Sequence, residues 1–456
     1  MSDASRTKRK PPHPFLYFLL FLPFGATSGF ITVTMGAIAH RAGISDEVVV
    51  TLTATNTLPH TWKVFWGPLV DTVWTGRGWY ITSNLVSSAA IITLGFIPIV
   101  ERNFGLLKIV IFINGLATTF VGMCTEALMA KLTPPEQRGT AGGWSQAGNL
   151  GGQMVGGLGL VLANNLEFDW LPFVIVGGLL LSCSVVLGLV EEPKRDSTKS
   201  FGKSMVELGS SLVDLLFNRR RWDRVKTASP WSFTYPGVWL YLLSGAGVLA
   251  ITLSLMPIGS GGAQNVFPLM GQQWHASDNV VSLTNGLIGG GSAIVGSLLG
   301  GLLANKIDKR WAYAISGVIL AGFAFLMAIT PETAPFYVGN IVLYSVGLGM
   351  CYATFSAFVL DIIGHTGGAT KYNLFASMAN WPIAAMGLID GWVATHHGRI
   401  TMLFVDGGAG VLGAVVLMTV VFVLRALKIP TRPTNADTPV GAPEHSPSAE
   451  LVVSRD

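Results

Sequence analysis

Charge is what this sequence has least of. Lys, Arg, Asp and Glu together supply 12% of its 456 residues, where a soluble domain carries about a quarter, and that shortage excludes an ordinary water-soluble fold. Cysteine is scarce too. Cys124, Cys183 and Cys351 each lie alone inside an apolar run, so neither a disulfide framework nor a metal-type cysteine pair is available, and no metal site is expected. Basic patches interleaved with aromatics are missing, which argues against a nucleic-acid partner. Gly143-Trp144-Ser145-Gln146-Ala147 fails the Gly-x-Ser-x-Gly elbow at its last position, and no HExxH or Walker loop occurs. No catalytic residues and no cofactor are expected, and any work the chain does cannot draw on its own ATP hydrolysis.

Half of the residues are hydrophobic, and they fall in long runs. A helix needs about 20 apolar residues to cross a bilayer, and twelve such segments are expected, at roughly 15–39, 47–70, 79–99, 107–131, 140–163, 170–190, 238–266, 280–304, 312–330, 335–360, 370–395 and 401–425. The fold class is therefore an all-α integral membrane protein whose partner is the lipid bilayer. It divides into a short tail (1–14), a first six-helix half (15–190), a middle loop (191–237), a second six-helix half (238–425) and a Pro-rich, disordered tail (426–456). Arg6, Lys8, Arg9 and Lys10 precede an apolar run as in a secretory signal, but no small-x-small cleavage site follows, so a retained first span is expected. With that span entering from the inside, most Lys and Arg fall on cytoplasmic segments, and only Arg41, Arg102, Lys108 and Arg399 stay outside. Both termini are accordingly expected in the cytoplasm, and the membrane to be the bacterial inner membrane. In the middle loop Met205, Leu208, Leu212, Leu215 and Leu216 share one helical face ahead of Arg219 to Arg221, the pattern of a helix lying on the membrane surface.

The chain repeats itself. Lys63-Val64-Phe65-Trp66-Gly67-Pro68-Leu69-Val70-Asp71 closes one apolar run, and Gly300-Gly301-Leu302-Leu303-Ala304-Asn305-Lys306-Ile307-Asp308 closes another, with Gly67 and Gly301 separated by 234 positions. Ser45-Asp46-Glu47-Val48-Val49 is echoed by Ser277-Asp278-Asn279-Val280-Val281 at a separation of 232. Two copies of one unit, each with an even number of spans, have parallel topology. Glycines at every fourth place, Gly148, Gly152 and Gly156 and again Gly296 and Gly300, predict close helix packing. At Pro257 to Gly262 the seventh span either ends or breaks around a cavity.

Two six-span halves with a Gly-x-x-x-Asp turn after the second span resemble the major facilitator superfamily. Within it the chain is similar to the peptide and acetyl-coenzyme A transporter family, whose bacterial members include muropeptide permeases. The likeness rests on the Lys63 to Asp71 stretch, on Leu132-Thr133-Pro134-Pro135-Glu136-Gln137-Arg138-Gly139 and on Ala369-Thr370-Lys371-Tyr372-Asn373-Leu374-Phe375. It departs at Asn305, which takes the acidic place of the second turn, in the fourth span, where muropeptide permeases usually show acidic residues and this chain has Gly122 and Glu126, and at Asn149 in the fifth, where they usually carry a base. The resemblance implies a transporter, working as a functional monomer, that moves a small polar or amphipathic cargo by alternating access with proton coupling. A facilitative carrier or a sensor built on the same shell is the alternative.

Charged groups inside hydrocarbon cost about 2.5 to 3.5 kcal/mol each on insertion scales and demand a partner or a task. Lys63 lies about 12 Å inside its span end, and Glu126, in the fourth span, is the acid best placed to pair with it or to carry a proton. Gly67, Asp71, Lys131, Arg138, Asp361 and Lys371 are expected to form a gate at the cytoplasmic ends. Asn56, Asn114, Gln146, Asn149, Tyr344, Tyr352, Asn373 and Asn380 are candidates for hydrogen bonds to cargo. Asp390, with His396 and His397, is expected at the outer interface.

Overall fold

A computed structural model describes residues 11–44, 46–190, 192, 201–228, 238, 242–363 and 368–429. Arg6, Lys8, Arg9 and Lys10, parts of the middle loop and the Pro-rich tail lie outside the described residues.

A chain crossing hydrocarbon must satisfy its backbone within each segment, which selects helices. The first half holds α1 (Phe15–Ala39), α2 (Asp46–Thr61), α3 (Lys63–Thr72), α4 (Gly76–Leu94), α5 (Phe104–Leu132), α6 (Arg138–Gly157) and α7 (Leu171–Ser182). Two helices follow, α8 (Phe201–Leu216) and α9 (Arg219–Ala228). The second half holds α10 (Gly245–Leu255), α11 (Asn279–Lys306), α12 (Lys309–Ile329), α13 (Ala334–Ile363), α14 (Gly368–His397) and α15 (Arg399–Ala426). Seven helical stretches among the described residues are long and apolar enough to span a bilayer: α1, α5 with its preceding turn, α7 continued to Leu189, α11, α12, α13 and α15. The remaining spans are α2 with α3, α4, α6, α10 with the turn after it, and α14. They are broken by proline, short, or rich in buried polar groups such as Asn84, Ser87, Gln146 and Asn373, which lowers their apolar content although α4 and α14 also expose apolar faces. The fold is thus an all-α membrane bundle of twelve spans in two six-helix halves.

The four-residue glycine ladders are contacts. Gly148, Gly152 and Gly156 on α6 lie against the backbone carbonyls of Phe18, Leu22 and Ala26 on α1, where any Cβ would collide. Gly296 and Gly300 on α11 lie in the same way against Val346 and Met350 on α13. Close backbone approach of this kind replaces the hydrophobic drive that is absent between helices in lipid. The repeat reaches further than the turns. Tyr80 on α4 donates to the carbonyl of Leu20 (2.9 Å), and Tyr313 on α12 donates to that of Ile258 (2.6 Å), each hydroxyl tying the third span of its half to the first.

The seventh span is broken. After α10 the chain turns through Gly259 and Gly261 at φ of +68° and +64°, then runs as a short turn from Gly262 to Asn265. A left-handed backbone is cheap only for glycine, which is why this break carries Gly-Ser-Gly-Gly. α8 crosses the end of the bundle: Ser244 N donates to Leu216 O (2.8 Å), Gly247 packs on Leu216, and Thr72 Oγ1 reaches Met205 Sδ (3.9 Å).

Candidate functional site between the halves

The two homologous turns do the same job in each half. Asp71, at the end of α3, accepts hydrogen bonds from the backbone N and from Oγ1 of Thr370, both at 2.9 Å and both to Oδ2. Thr370 is the third residue of α14, so a carboxylate of the first half sits on the positive end of a second-half helix. Gly67, one turn earlier, makes room for this: a Cβ there would stand 2.7 Å from Thr370 Cα. In the second copy Asn305, at the end of α11, accepts from the backbone N of Thr140 (3.3 Å) and donates through Nδ2 to its hydroxyl. Thr140 is the third residue of α6, and Gly301 packs on Gly139 and Gly143 beside it. The amide keeps the acceptor and adds a donor, so loss of the acid costs the second turn its charge but not its contact.

Between these crossings Arg138 Nη1 stands 3.4 Å from Asp361 Oδ1, joining α6 to α13 with both side chains nearly buried. Lys371 turns back to the carbonyl of Ile363 (3.4 Å). Lys131 is half-buried and forms no ion pair among the described residues. The halves are therefore shut against one another at the end that carries both turns.

Deeper in the bundle, Lys63 Nζ lies 3.5 Å from Glu126 Oε1, with the two residues 8% and 4% exposed. Pro59 breaks the second span just before Trp62, which makes Lys63 the first residue of α3. A cation at a helix N-terminus opposes the helix dipole, so the Glu126 carboxylate is what holds it there. The Asn373 side chain of α14 lies beside the same carboxylate, carrying the cluster across to the second half. Beside it Tyr372 meets Ser356 Oγ at 2.7 Å and faces Gln146 of α6, whose Oε1 accepts from Asn149 Nδ2 (3.2 Å). Oε2 of Glu126 and Oδ1 of Asn149 are buried and accept no hydrogen bond of good geometry. His60 approaches from α2, its Nδ1 2.8 Å from Thr119 Oγ1 and its ring against Phe24.

The other sequence candidates divide. Asn56 and Asn114 are tied to one another (3.0 Å) and to Ser87 (2.8 Å), binding α2, α4 and α5 within the first half. Tyr344 is buried on α13 and donates to Asp406 Oδ2 at 2.7 Å, away from the central cluster. Tyr352 and Asn380 are half-buried on α13 and α14. The expectation for Asp390 is corrected: its exposure is 0%, because the backbone of Gly262 and the side chain of Asp406 cover it. His396 and His397 are exposed and lie against Trp392. Sequence reasoning missed His60, Ser356 and the hydroxyl of Tyr372 as members of the cluster. A histidine four residues after Asn56 on the same helix was a usable signal for the first; nothing local marks the second.

Two six-helix halves, latched at one end by matched turns and sharing a buried charged cluster, define a paired-bundle membrane transporter. The family model of the Major Facilitator Superfamily matches residues 15–370 and again 249–453; the chain belongs to that superfamily. It is 25% identical over 385 residues to the anhydromuropeptide permease of Escherichia coli (strain K12), a match covering 79% of this chain and 70% of that protein. Among solved structures it is similar to the proton:xylose symporter XylE bound to 6-bromo-6-deoxy-D-glucose (15% identity, TM-score 0.61, covering 89% and 95% of the two chains). It is also similar to the human organic anion transporter MFSD10 (14% identity, TM-score 0.64, covering 88% and 98%). At these identities the two structures speak to the fold alone.

The latch gives a direct comparison. Asp71→Asn retains an acceptor for Thr370 but removes the charge from a helix N-terminus, which lowers a charge-assisted bond to a neutral one, about 1 kcal/mol and ~5-fold in the closed-to-open ratio. Asp308 lies 3.4 Å from Arg425 on the exposed rim and caps Arg310 N at 2.9 Å, a cap that asparagine also provides. Transport in proteoliposomes should fall several-fold in Asp71→Asn and remain within twofold in Asp308→Asn. Equal losses at the two positions would place the latch elsewhere.

Proposed function

We propose that this chain is a proton-coupled secondary transporter of an anionic, muropeptide-like solute, acting as a monomer in a bacterial inner membrane with both termini cytoplasmic. The observation that carries the reading is the Lys63–Glu126 pair beside Asn373, a buried cation and acid lying where the two halves meet. Similarity to an anhydromuropeptide permease supports the cargo class. The distribution of Lys and Arg supports the orientation, which puts the latched end inside.

In this reading the anionic group of the cargo displaces Glu126 from Lys63. The freed carboxylate, left without its cation in a site poor in water, takes up a proton rather than remain charged. Binding and protonation are then one event, and neither state with an uncompensated charge is occupied. Gln146, Asn149, Asn373 and Tyr372 supply the neutral donors and acceptors that a sugar or peptide requires.

The test is uptake into proteoliposomes of an anhydromuropeptide, a coenzyme A ester and a short peptide, with and without an imposed proton gradient. The wild type should concentrate the anhydromuropeptide only with the gradient. Glu126→Gln should exchange it across the membrane but no longer concentrate it. If Glu126→Gln still concentrates cargo on a proton gradient, Glu126 is not the coupling acid.

A further inference from the structure

Asp390 and Asp406 form a second buried acidic site that the Lys63–Glu126 cluster does not use. They come from α14 and α15, are 0% and 6% exposed, and stand within hydrogen-bonding reach of each other. Asp406 has one donor: Tyr344 donates to its Oδ2 at 2.7 Å, and the Ala263 backbone of the unwound segment after α10 lies beside it. Asp390 has none. Both its oxygens, and Oδ1 of Asp406, are buried without a donor. No lysine, arginine or histidine among the described residues forms an ion pair with either acid.

Three orphan acceptor oxygens in one place are not three defects. A single proton on one oxygen of Asp390, donated to Asp406 Oδ1, pairs two of the three oxygens and leaves the third on a neutral carboxyl, whereas two adjacent carboxylates without a cation cannot both ionise. The groups facing the pair suit this. α13 presents Tyr344 as a donor and the thiol of Cys351, the broken seventh span presents Gly262 and Ala263 backbone, and Met386 lies one turn before Asp390 on α14. A small crevice lined by Gly259, Ser260, Gly317 and Gly410 has Asp406 in its wall, with room for about one water molecule.

We propose that Asp390 and Asp406 are a proton-binding dyad in the second half, separate from Lys63–Glu126, holding one shared proton that is exchanged with water through the crevice beside the broken seventh span. The dyad ties that unwound segment to α14 and α15 through Gly262 and Ala263, so removing the proton places a second negative charge against the Gly262 backbone and loosens this junction.

Infrared difference spectroscopy of the full-length protein in lipid, recorded after a step in pH, reads the protonated carboxyl directly. The wild type should show a carboxylic-acid carbonyl band that disappears on raising the pH. That band should persist in Glu126→Gln, vanish in Asp390→Asn, and shift in frequency but survive in Tyr344→Phe, which loses one donor to Asp406. The Glu126→Gln and Tyr344→Phe spectra decide the matter even if Asp390→Asn fails to fold. A wild-type band that is lost in Glu126→Gln and insensitive to Tyr344→Phe would overturn the dyad, as would a band abolished by sodium or potassium ions at constant pH, which would make the site a cation site.

Discussion

Lys63→Met is expected, on the function proposed above, to abolish both concentrative uptake and exchange of an anhydromuropeptide, a loss of at least ~100-fold, because it removes the cation that the proposed anionic cargo and Glu126 would share. The same substitution is expected to destabilise the protein. Removing one member of a buried ion pair leaves the other uncompensated and costs about 3–5 kcal/mol, while replacing both by neutral groups of similar size is often close to neutral. Transport and stability can therefore be separated. The double variant Lys63→Met/Glu126→Gln should recover most of the thermal stability lost by Lys63→Met while remaining inactive. A double variant that recovers transport together with stability would show that the pair is structural, and one that recovers neither would show that Lys63 is held mainly by contacts other than Glu126.

The fold was largely legible because its strongest constraints act on residue type. Hydrocarbon thickness sets segment length, and the shortage of charge leaves few places for loops. Close helix contact requires glycine at fixed spacing, so Gly148, Gly152 and Gly156 announce the α1–α6 interface before any coordinate is known. The Gly67 and Gly301 turns are readable for the same reason, although their contacts with Thr370 and with Gly139 and Gly143 are not: which helix N-terminus each turn meets depends on how the halves dock.

The site was legible where a cost demands a partner. A lysine in the interior of a span needs an acid, and Glu126 was the nearest one by depth; the structure puts them 3.5 Å apart. The polar amides were not separable, since Asn56 and Asn114 bind helices of one half while Gln146 faces Tyr372 of the other, and no local pattern distinguishes the two. Asp390 misled because depth was counted along α14 alone. Its burial comes from Asp406 on α15 and from Gly262 beyond the break in the seventh span, a meeting that only the three-dimensional packing creates.

Gly67→Val is expected to prevent the latched end from closing. The Cβ of any residue at this position would stand 2.7 Å from Thr370 Cα and 3.2 Å from its N and Oγ1. Backbone atoms at a helix start cannot swing aside as the tip of a flexible side chain can, so the strain is relieved only by moving α3 away from α14, which also pulls Asp71 off the Thr370 amide. Overpacking of this kind costs about 1–3 kcal/mol, and under the proposed alternating access nearly all of it falls on the closed state, since opening this end separates the two halves. The closed-to-open ratio should drop ~5- to 150-fold. Distances between spin labels at Glu136 in the first half and Lys306 in the second, both at this end, should shift toward the longer population, and uptake should fall accordingly. Gly105→Ala, where a Cβ meets open space, should change neither readout. Gly67→Ala should lie between the two, since the smaller group still makes the 2.7 Å contact but adds nothing beyond it. An unchanged distance distribution in Gly67→Val, together with normal uptake, would mean that the contact between α3 and α14 is not what closes the transporter.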